Sequence, residues 1–335
     1  MRNSIEHVST AMIYMIFAVV CLLVPSCVIH DRPAQLKAWH LGNPENVVSS
    51  PGGGLVLIGG GRDPDEAFAW FNRQANHGDI VVLRASRSDG YNHYLYHDIG
   101  LIDSVQTLLV DSRELAADPW VIEQINQAEG IFIAGGDQAD YVDFWANTPL
   151  STAVTEAYQR GSVLGGTSAG AMILGGIIFE ASEGSVTSEQ SMRNPYYERV
   201  QLQTSIFSVP LLKNVIIDTH FEERERMGRL LVFMARALQD QLCEEIQAFG
   251  IDESTAVIVT ASGQARVLGS GSATVMYSKE RAEVCAMEQS LIFDRIAAWK
   301  LSKHGGTFPF RIGMDIDGDI LVSVQDGYIT MTKQK

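Results

Sequence analysis

Ser168 stands in Gly166-Thr-Ser-Ala-Gly170, a Gly-x-Ser-x-Gly run after an apolar segment and before a stretch of small residues. Glycines at these places permit a sharp strand-to-helix turn that pushes the serine hydroxyl out where it can attack a carbonyl. The N–H of Ala169, at the start of the helix, can then help hold an oxyanion. A second glycine pair, Gly135-Gly136 in "IFIAGGDQ", also follows a predicted strand. Strand ends of an open parallel sheet share one edge, so the N–H of Gly136 is the candidate second oxyanion donor. Asp137 and Gln138 either cap the next helix or face the cleft. A third glycine turn, "GGGRD" at 59–63, lacks the lysine of a phosphate loop.

A nucleophilic serine needs a general base. Of the eight histidines, His220 alone ends a strongly apolar predicted strand, "NVIIDTH", and so falls on the same edge as Ser168. His93 and His97 lie four apart in a polar aromatic loop, with no third metal ligand evident. The carboxylate that orients His220 is expected in Glu183 or Glu180. Asp218, two residues before His220 and hence on the same strand face, is either a third candidate or a substrate contact. The run "FEERERMGRLL" then brings Arg224, Arg226 and Arg229 close to the base. Such a run is ordinarily a solvated helix face. Next to a base, it can bind substrate carboxylate.

These positions require a scaffold of βαβ units. From Leu55, strand-length apolar runs alternate with amphipathic helical segments: strands from Leu55, Ile80, Val105, Gly130, Ser162 and Asn214, helices from Asp65, Pro119, Ala139, Leu150 and Glu225. The expectation is an α/β fold around a mostly parallel sheet. β-rich segments with Gly turns follow from Gly250, and the tail from Glu288 is expected as a helix followed by short strands. The chain divides into residues 1–27 as a signal segment, 28–53 as a polar tether rich in Pro and Gly, and 54–335 as a catalytic domain with a β-rich C-terminal extension.

In the signal segment, Arg2 precedes an apolar run from Ala11 to Val24, which is shorter than the ~20 residues that span a bilayer. It ends in Ser26-Cys27. This resembles a lipoprotein signal with Cys27 as the lipidated residue, and the alternative is plain secretion. The protein is therefore expected outside the cytoplasm, where a Cys243–Cys285 disulfide is permitted and two free thiols are equally so. The net charge of −15 and the absence of a basic block speak against nucleic-acid binding.

Together, "AGGDQ" at 134–138, "GGTSAGA" at 165–171 and "IDTHFEERERMGRLL" at 217–231 resemble the cyanophycinase family of serine peptidases, and "GIDESTAVIV" and "VLGSGSATV" are similar to its C-terminal strands. The resemblance covers roughly 54–277. It implies a flavodoxin-like, class I glutamine amidotransferase-like three-layer sandwich, with a homodimer as an expectation. It implies an exo-acting serine peptidase that releases β-Asp-Arg dipeptides from cyanophycin, without metal or cofactor. Ser168 would be the nucleophile, His220 the base and a Glu soon after the elbow the third member, in the order Ser, acid, His. Gly136 and Ala169 would form the oxyanion hole, and Gln138, Asp218, Arg224, Arg226 and Arg229 would hold substrate. Members often carry Gln where this chain has Thr219. The alternatives are an aspartyl or isoaspartyl dipeptidase and a non-catalytic binding lipoprotein.

Overall fold

A computed structural model describes residues 30–311 and 318–334. The signal segment and Cys27 lie outside the described residues. In chain order the strands begin with β1 (Lys37–Gly42), β2 (Leu55–Ile58), β3 (Asp79–Arg84), β4 (Ser104–Leu109), β5 (Gly130–Ile133) and β6 (Val163–Thr167). They continue with β7 (Ile177–Phe179), β8 (Leu202–Thr204), β9 (Val215–Thr219), β10 (Ile246–Ile251), β11 (Thr255–Val259) and β12 (Gln264–Gly269). The last are β13 (Ser272–Ser278), β14 (Phe293–Ser302), β15 (Thr307–Pro309), β16 (Ile320–Gln325) and β17 (Tyr328–Lys333). The helices are α1 (Asp65–Gln74), α2 (Pro119–Gln127), α3 (Gln138–Trp145), α4 (Pro149–Arg160), α5 (Ala169–Met172), α6 (Ser188–Arg193) and α7 (Met227–Gln239).

Among the described residues, the strands form two sheets, ordered β1-β4-β3-β5-β6-β2-β11-β12-β15 and β17-β16-β14-β13-β10-β9-β7-β8. The run β4-β3-β5-β6-β2 is parallel throughout, as the alternation of apolar runs and helices predicts. In the second sheet, β10, β9 and β7 are parallel and the other pairings are antiparallel. The expected single, mostly parallel sheet is thus the centre of a larger mixed sheet, and a second sheet accompanies it.

The strand period of two explains the layers. In the first sheet Val56, Ile58, Ile80, Val82 and Phe132 bury against Phe68 and Phe71 of α1. Their neighbours Leu55, Leu57, Val81, Leu83 and Ile131 face the other way, into a cluster with α2, α3 and α4. Ile217, Phe249, Ile251 and Val275 of the second sheet join that same cluster. Ile216, Ala248 and Met276 point oppositely, to α7. Strands covered on both faces read as continuous apolar runs, which is why their positions were evident from sequence.

Two segments differ from expectation. The tether is not wholly irregular, because Lys37–Gly42 pairs antiparallel with β4. Its residues alternate too weakly to mark a strand, since β1 is an edge strand with no buried position. The segment from Glu288 holds no α-helix among its described residues. It forms the long strand β14, whose buried Phe293, Ile296 and Ala298 pack in the cluster around α7.

β3 runs on to β4 on one side, whereas β5 runs on to β6 on the other. Chain connections therefore diverge between β3 and β5, and a crevice opens at the carboxyl ends of those two strands. Arg84 ends β3, Gly135-Gly136 follows β5, and Ser168 follows the adjacent β6.

Candidate active site

Ser168 sits between β6 and α5 with φ 52° and ψ −125°, a strained conformation for a residue with a side chain. Its N–H donates to the Ile58 carbonyl at 3.0 Å, and its own carbonyl accepts from Ala171 and Met172 at 3.0 and 3.1 Å. The flanking glycines are required by close approach. A β-carbon on Gly166 would stand 2.4 Å from the Gly170 carbonyl oxygen, and one on Gly170 would stand 2.1 Å from that of Ile133.

Ser168 Oγ lies 2.8 Å from His220 Nε2. On the other side of the ring, His220 Nδ1 lies 2.5 Å from Glu253 Oε1. With the Nδ1 proton donated to the carboxylate, Nε2 is left to accept from the serine hydroxyl. Burial depresses the His220 pKa, the hydrogen bond to Glu253 opposes this, and the guanidinium charges of Arg224 and Arg226 depress it further. The net shift is downward, which keeps the imidazole neutral and able to take a proton.

His220 is held by its backbone. Its φ is 48°, and its N–H donates to the Gly59 carbonyl at 2.8 Å. Gly60 runs beneath the ring: a β-carbon there would come within 2.4 Å of His220 Cε1. Glu253 follows β10, the parallel neighbour of β9, so the sheet itself sets the two loops side by side. The N–H of Glu253 is gripped by both carboxylate oxygens of Glu223 at 3.1 Å, and Asp252 Oδ1 accepts from Glu222 N–H at 3.2 Å.

The expected acid was misplaced. Glu183 is exposed and Glu180 is half-buried beside β7, and neither contacts His220. The members follow each other as Ser, His, Glu, not Ser, acid, His. Glu253 lies within "GIDESTAVIV", and the signal that could have found it is an acidic residue at the carboxyl end of an apolar strand.

Asp218, Arg226 and Arg229 form a separate buried cluster. Arg229 donates through Nε and Nη2 to the two Asp218 oxygens at 2.7 and 2.6 Å, and Arg226 Nη1 reaches Asp218 Oδ1 at 3.1 Å and the Thr219 carbonyl at 2.8 Å. Asp218 has no exposed surface and Arg229 is 2% exposed, so the expected substrate contacts at Asp218, Arg226 and Arg229 are corrected to internal ion pairs. Burial lowers the Arg226 pKa to about 10, against the opposing charge of Asp218. Thr219, the last residue of β9, is buried beside them.

Gln138 is likewise tied inward, since its Nε2 donates to the Phe179 carbonyl at 2.7 Å and the residue does not border the cleft. Asp137 takes the capping role, accepting from Ala139 N–H at 3.0 Å. The His93 and His97 rings pack at a tilt with centroids 4.7 Å apart, and neither borders the cleft at Ser168. Cys243 and Cys285 are free thiols.

The cleft over Ser168 has a volume of about 660 Å³, and Gly135, Gly136, His220 and Arg224 border it. Arg84 and Arg87, at the divergence of β3 and β5, join them there. Arg224 and Arg87 make no side-chain hydrogen bond or ion pair among the described residues. The Arg84 guanidinium spends Nε and Nη1 on the carbonyls of Ser86 and Ser88. Asp63, passed over in the "GGGRD" turn, also faces the cleft. It accepts from Thr167 Oγ1 at 2.8 Å and from Tyr91 OH at 2.7 Å, so it joins the loops after β2 and β3 to the residue before the serine. Burial raises its pKa, and these two hydrogen bonds act against the rise.

Comparison with known proteins agrees with this geometry. The model of Peptidase family S51 matches residues 56–267, which span every residue just described from Val56 through Glu253. A cyanophycinase of Synechococcus elongatus is 34% identical over 234 residues, covering 67% of this chain and 68% of that protein. A cyanophycinase of Trichormus variabilis is 30% identical over 183 residues, covering 54% of this chain and 56% of that protein. Among solved structures, a peptidase from an acI-B1 Actinobacterium shares the fold with a TM-score of 0.52 at 19% identity, covering 78% of this chain and 98% of that one. The chain belongs to Peptidase family S51 and is a serine-type peptidase.

Proposed function

We propose that the protein is an exo-acting cyanophycinase. Ser168 attacks a carbonyl beside an aspartyl residue, and His220 takes the serine proton. Glu253 holds the ring in the tautomer that leaves Nε2 free, and it balances the imidazolium charge that forms. The N–H groups of Gly136 and Ala169 receive the oxyanion, since each follows the carboxyl end of a strand next to Ser168 and bonds no carbonyl in the described structure. His220 then protonates the leaving amine, and water clears the acyl-enzyme. Arg224 and Arg87 receive substrate carboxylate. In this reading the five parallel strands are the flavodoxin-like part of the fold, and the protein acts outside the cytoplasm, anchored through lipid on Cys27.

The observation that carries the substrate is the charge of the cleft. Unpaired arginines and the carboxylates of Asp63 and Asp65 border one cavity with Ser168, which suits a chain bearing both carboxylate and guanidinium groups. The relatives named cyanophycinase support the same reading. The test is incubation of the purified protein and its Ser168→Ala variant with cyanophycin, with mass spectrometry of the products. β-Asp-Arg from the first and none from the second is expected. No product from a folded protein that still reacts with a fluorophosphonate at Ser168 removes cyanophycin as substrate.

A further inference from the structure

A second cavity, of about 520 Å³, adjoins the cleft and shares Arg62, Asp63 and Asp65 with it. Its far wall is built by residues 269–271 at the end of β12 and by Ser302, Lys303 and His304 at the end of β14. Asp63, Asp65 and Glu66 supply its carboxylates. Glu66 Oε1 accepts from Gly269 N–H at 2.7 Å and faces Lys303 Nζ at 4.0 Å. Asp65 Oδ1 accepts from Tyr94 OH at 2.7 Å, and Oδ2 faces Arg62 at 4.0 Å. The two 4.0 Å ion pairs are exposed and long, so a cation arriving from solvent exchanges with them at little cost.

The charge of the wall changes along this path. Arg84, Arg87 and Arg224 border the cleft at Ser168 and none of them borders the second cavity. The cleft alone has the volume of an ordinary small-molecule site. A dipeptide fits within it, and Glu66 is not part of its lining, whereas a longer chain leaving the cleft over Asp63 and Asp65 enters the second cavity.

We propose that this second cavity is an extended groove that receives the cationic side groups of a peptide polymer whose terminal unit lies at Ser168. A substrate guanidinium takes the place of Lys303 at Glu66. The proposal rests on the cyanophycinase reading and adds that the groove distinguishes polymer from dipeptide.

The test is steady-state kinetics on β-Asp-Arg oligomers of increasing length, with the two-unit oligomer as internal reference. For the unaltered protein, KM falls as length increases. Ser270→Trp, which fills the groove, abolishes that fall. Glu66→Gln keeps the acceptor for Gly269 N–H and raises KM for long oligomers about two- to fivefold. Lys303→Ala lowers it by a similar factor, as expected for exposed charge pairs. Hydrolysis with the same KM at every length, or a length dependence that survives Ser270→Trp, overturns the groove and leaves the cyanophycinase reading intact. No hydrolysis at any length by protein that a fluorophosphonate still labels overturns the cyanophycinase reading and the groove with it.

Discussion

Two polar clusters hang from the end of β9, and they differ in what surrounds them. Asp218 and its two arginines are sealed in the protein, with Asp218 at 0% exposure. His220, two residues on, meets Ser168 at the floor of an open cleft, and its partner Glu253 has a side chain 35% exposed. A strand period of two would set Asp218 and His220 on one face. The positive φ of His220 turns the chain instead, so the aspartate goes inward and the histidine goes to the cleft. The buried cluster fixes the turn, and the open one uses it: Arg226 binds the carbonyl of Thr219, the residue directly before His220.

The sharpest way to break this comparison is to remove members of the open cluster. Ser168→Ala or His220→Ala is expected to lower kcat by about 10⁴ or more, and Glu253→Gln by about 10³–10⁴, with unchanged circular dichroism. Glu183→Gln and Glu180→Gln are expected to stay within about twofold of the parent, because neither side chain reaches His220. If Glu183→Gln were as damaging as Glu253→Gln, the assignment of the carboxylate would be wrong.

Asp218→Asn attacks the buried cluster and is expected to act on stability first. It keeps the shape but leaves two buried guanidinium groups facing a neutral amide, at a cost of about 3–5 kcal/mol. Urea unfolding measures this. A variant as stable as the parent but unable to bind substrate would return Asp218 to the role the sequence suggested.

Gly60→Ala is expected to have a smaller effect than either. The added methyl meets the His220 ring, and the residue's φ of 93° is strained for alanine. Displacing the base by about 1 Å is expected to cost about 10²-fold in kcat with little change in KM. Measuring both constants separates misplacement of His220 from loss of substrate contacts.

Much of this arrangement is legible in the sequence. Doubly covered strands and glycine-flanked turns leave local marks, so six apolar strands and the pairing of Ser168 with His220 can be read there, but not that the strand before His220 belongs to a second sheet. The edge strand β1 and the long strand β14 left weaker patterns. Glu253 was missed for a physical reason: its partnership with His220 is made by the parallel pairing of β9 and β10, between residues 33 apart in sequence. The burial of Arg226 and Arg229 was missed because a charged run looks solvated until the turn at His220 aims it inward. Of the three arginines in that run, only Arg224 borders the cleft.

That separation of Arg224 from its neighbours gives the smallest effect and a pH test. Arg224 is exposed and makes no side-chain bond among the described residues, and its charge is one of the influences that lower the His220 pKa. Protonated His220 cannot accept the serine proton, so kcat/KM falls as pH drops through that pKa. The acid limb of the parent is therefore expected below 6.5, the usual value for histidine. Arg224→Ala removes a positive neighbour and makes protonation easier, so its acid limb moves upward. Burial is the larger cause and is unchanged, so only part of the depression is lost. Arg224→Lys keeps the charge and should hold the limb near the parent's position, even where it binds substrate less well. A limb that moves equally in both variants would mean that Arg224 acts through its shape and not through its charge.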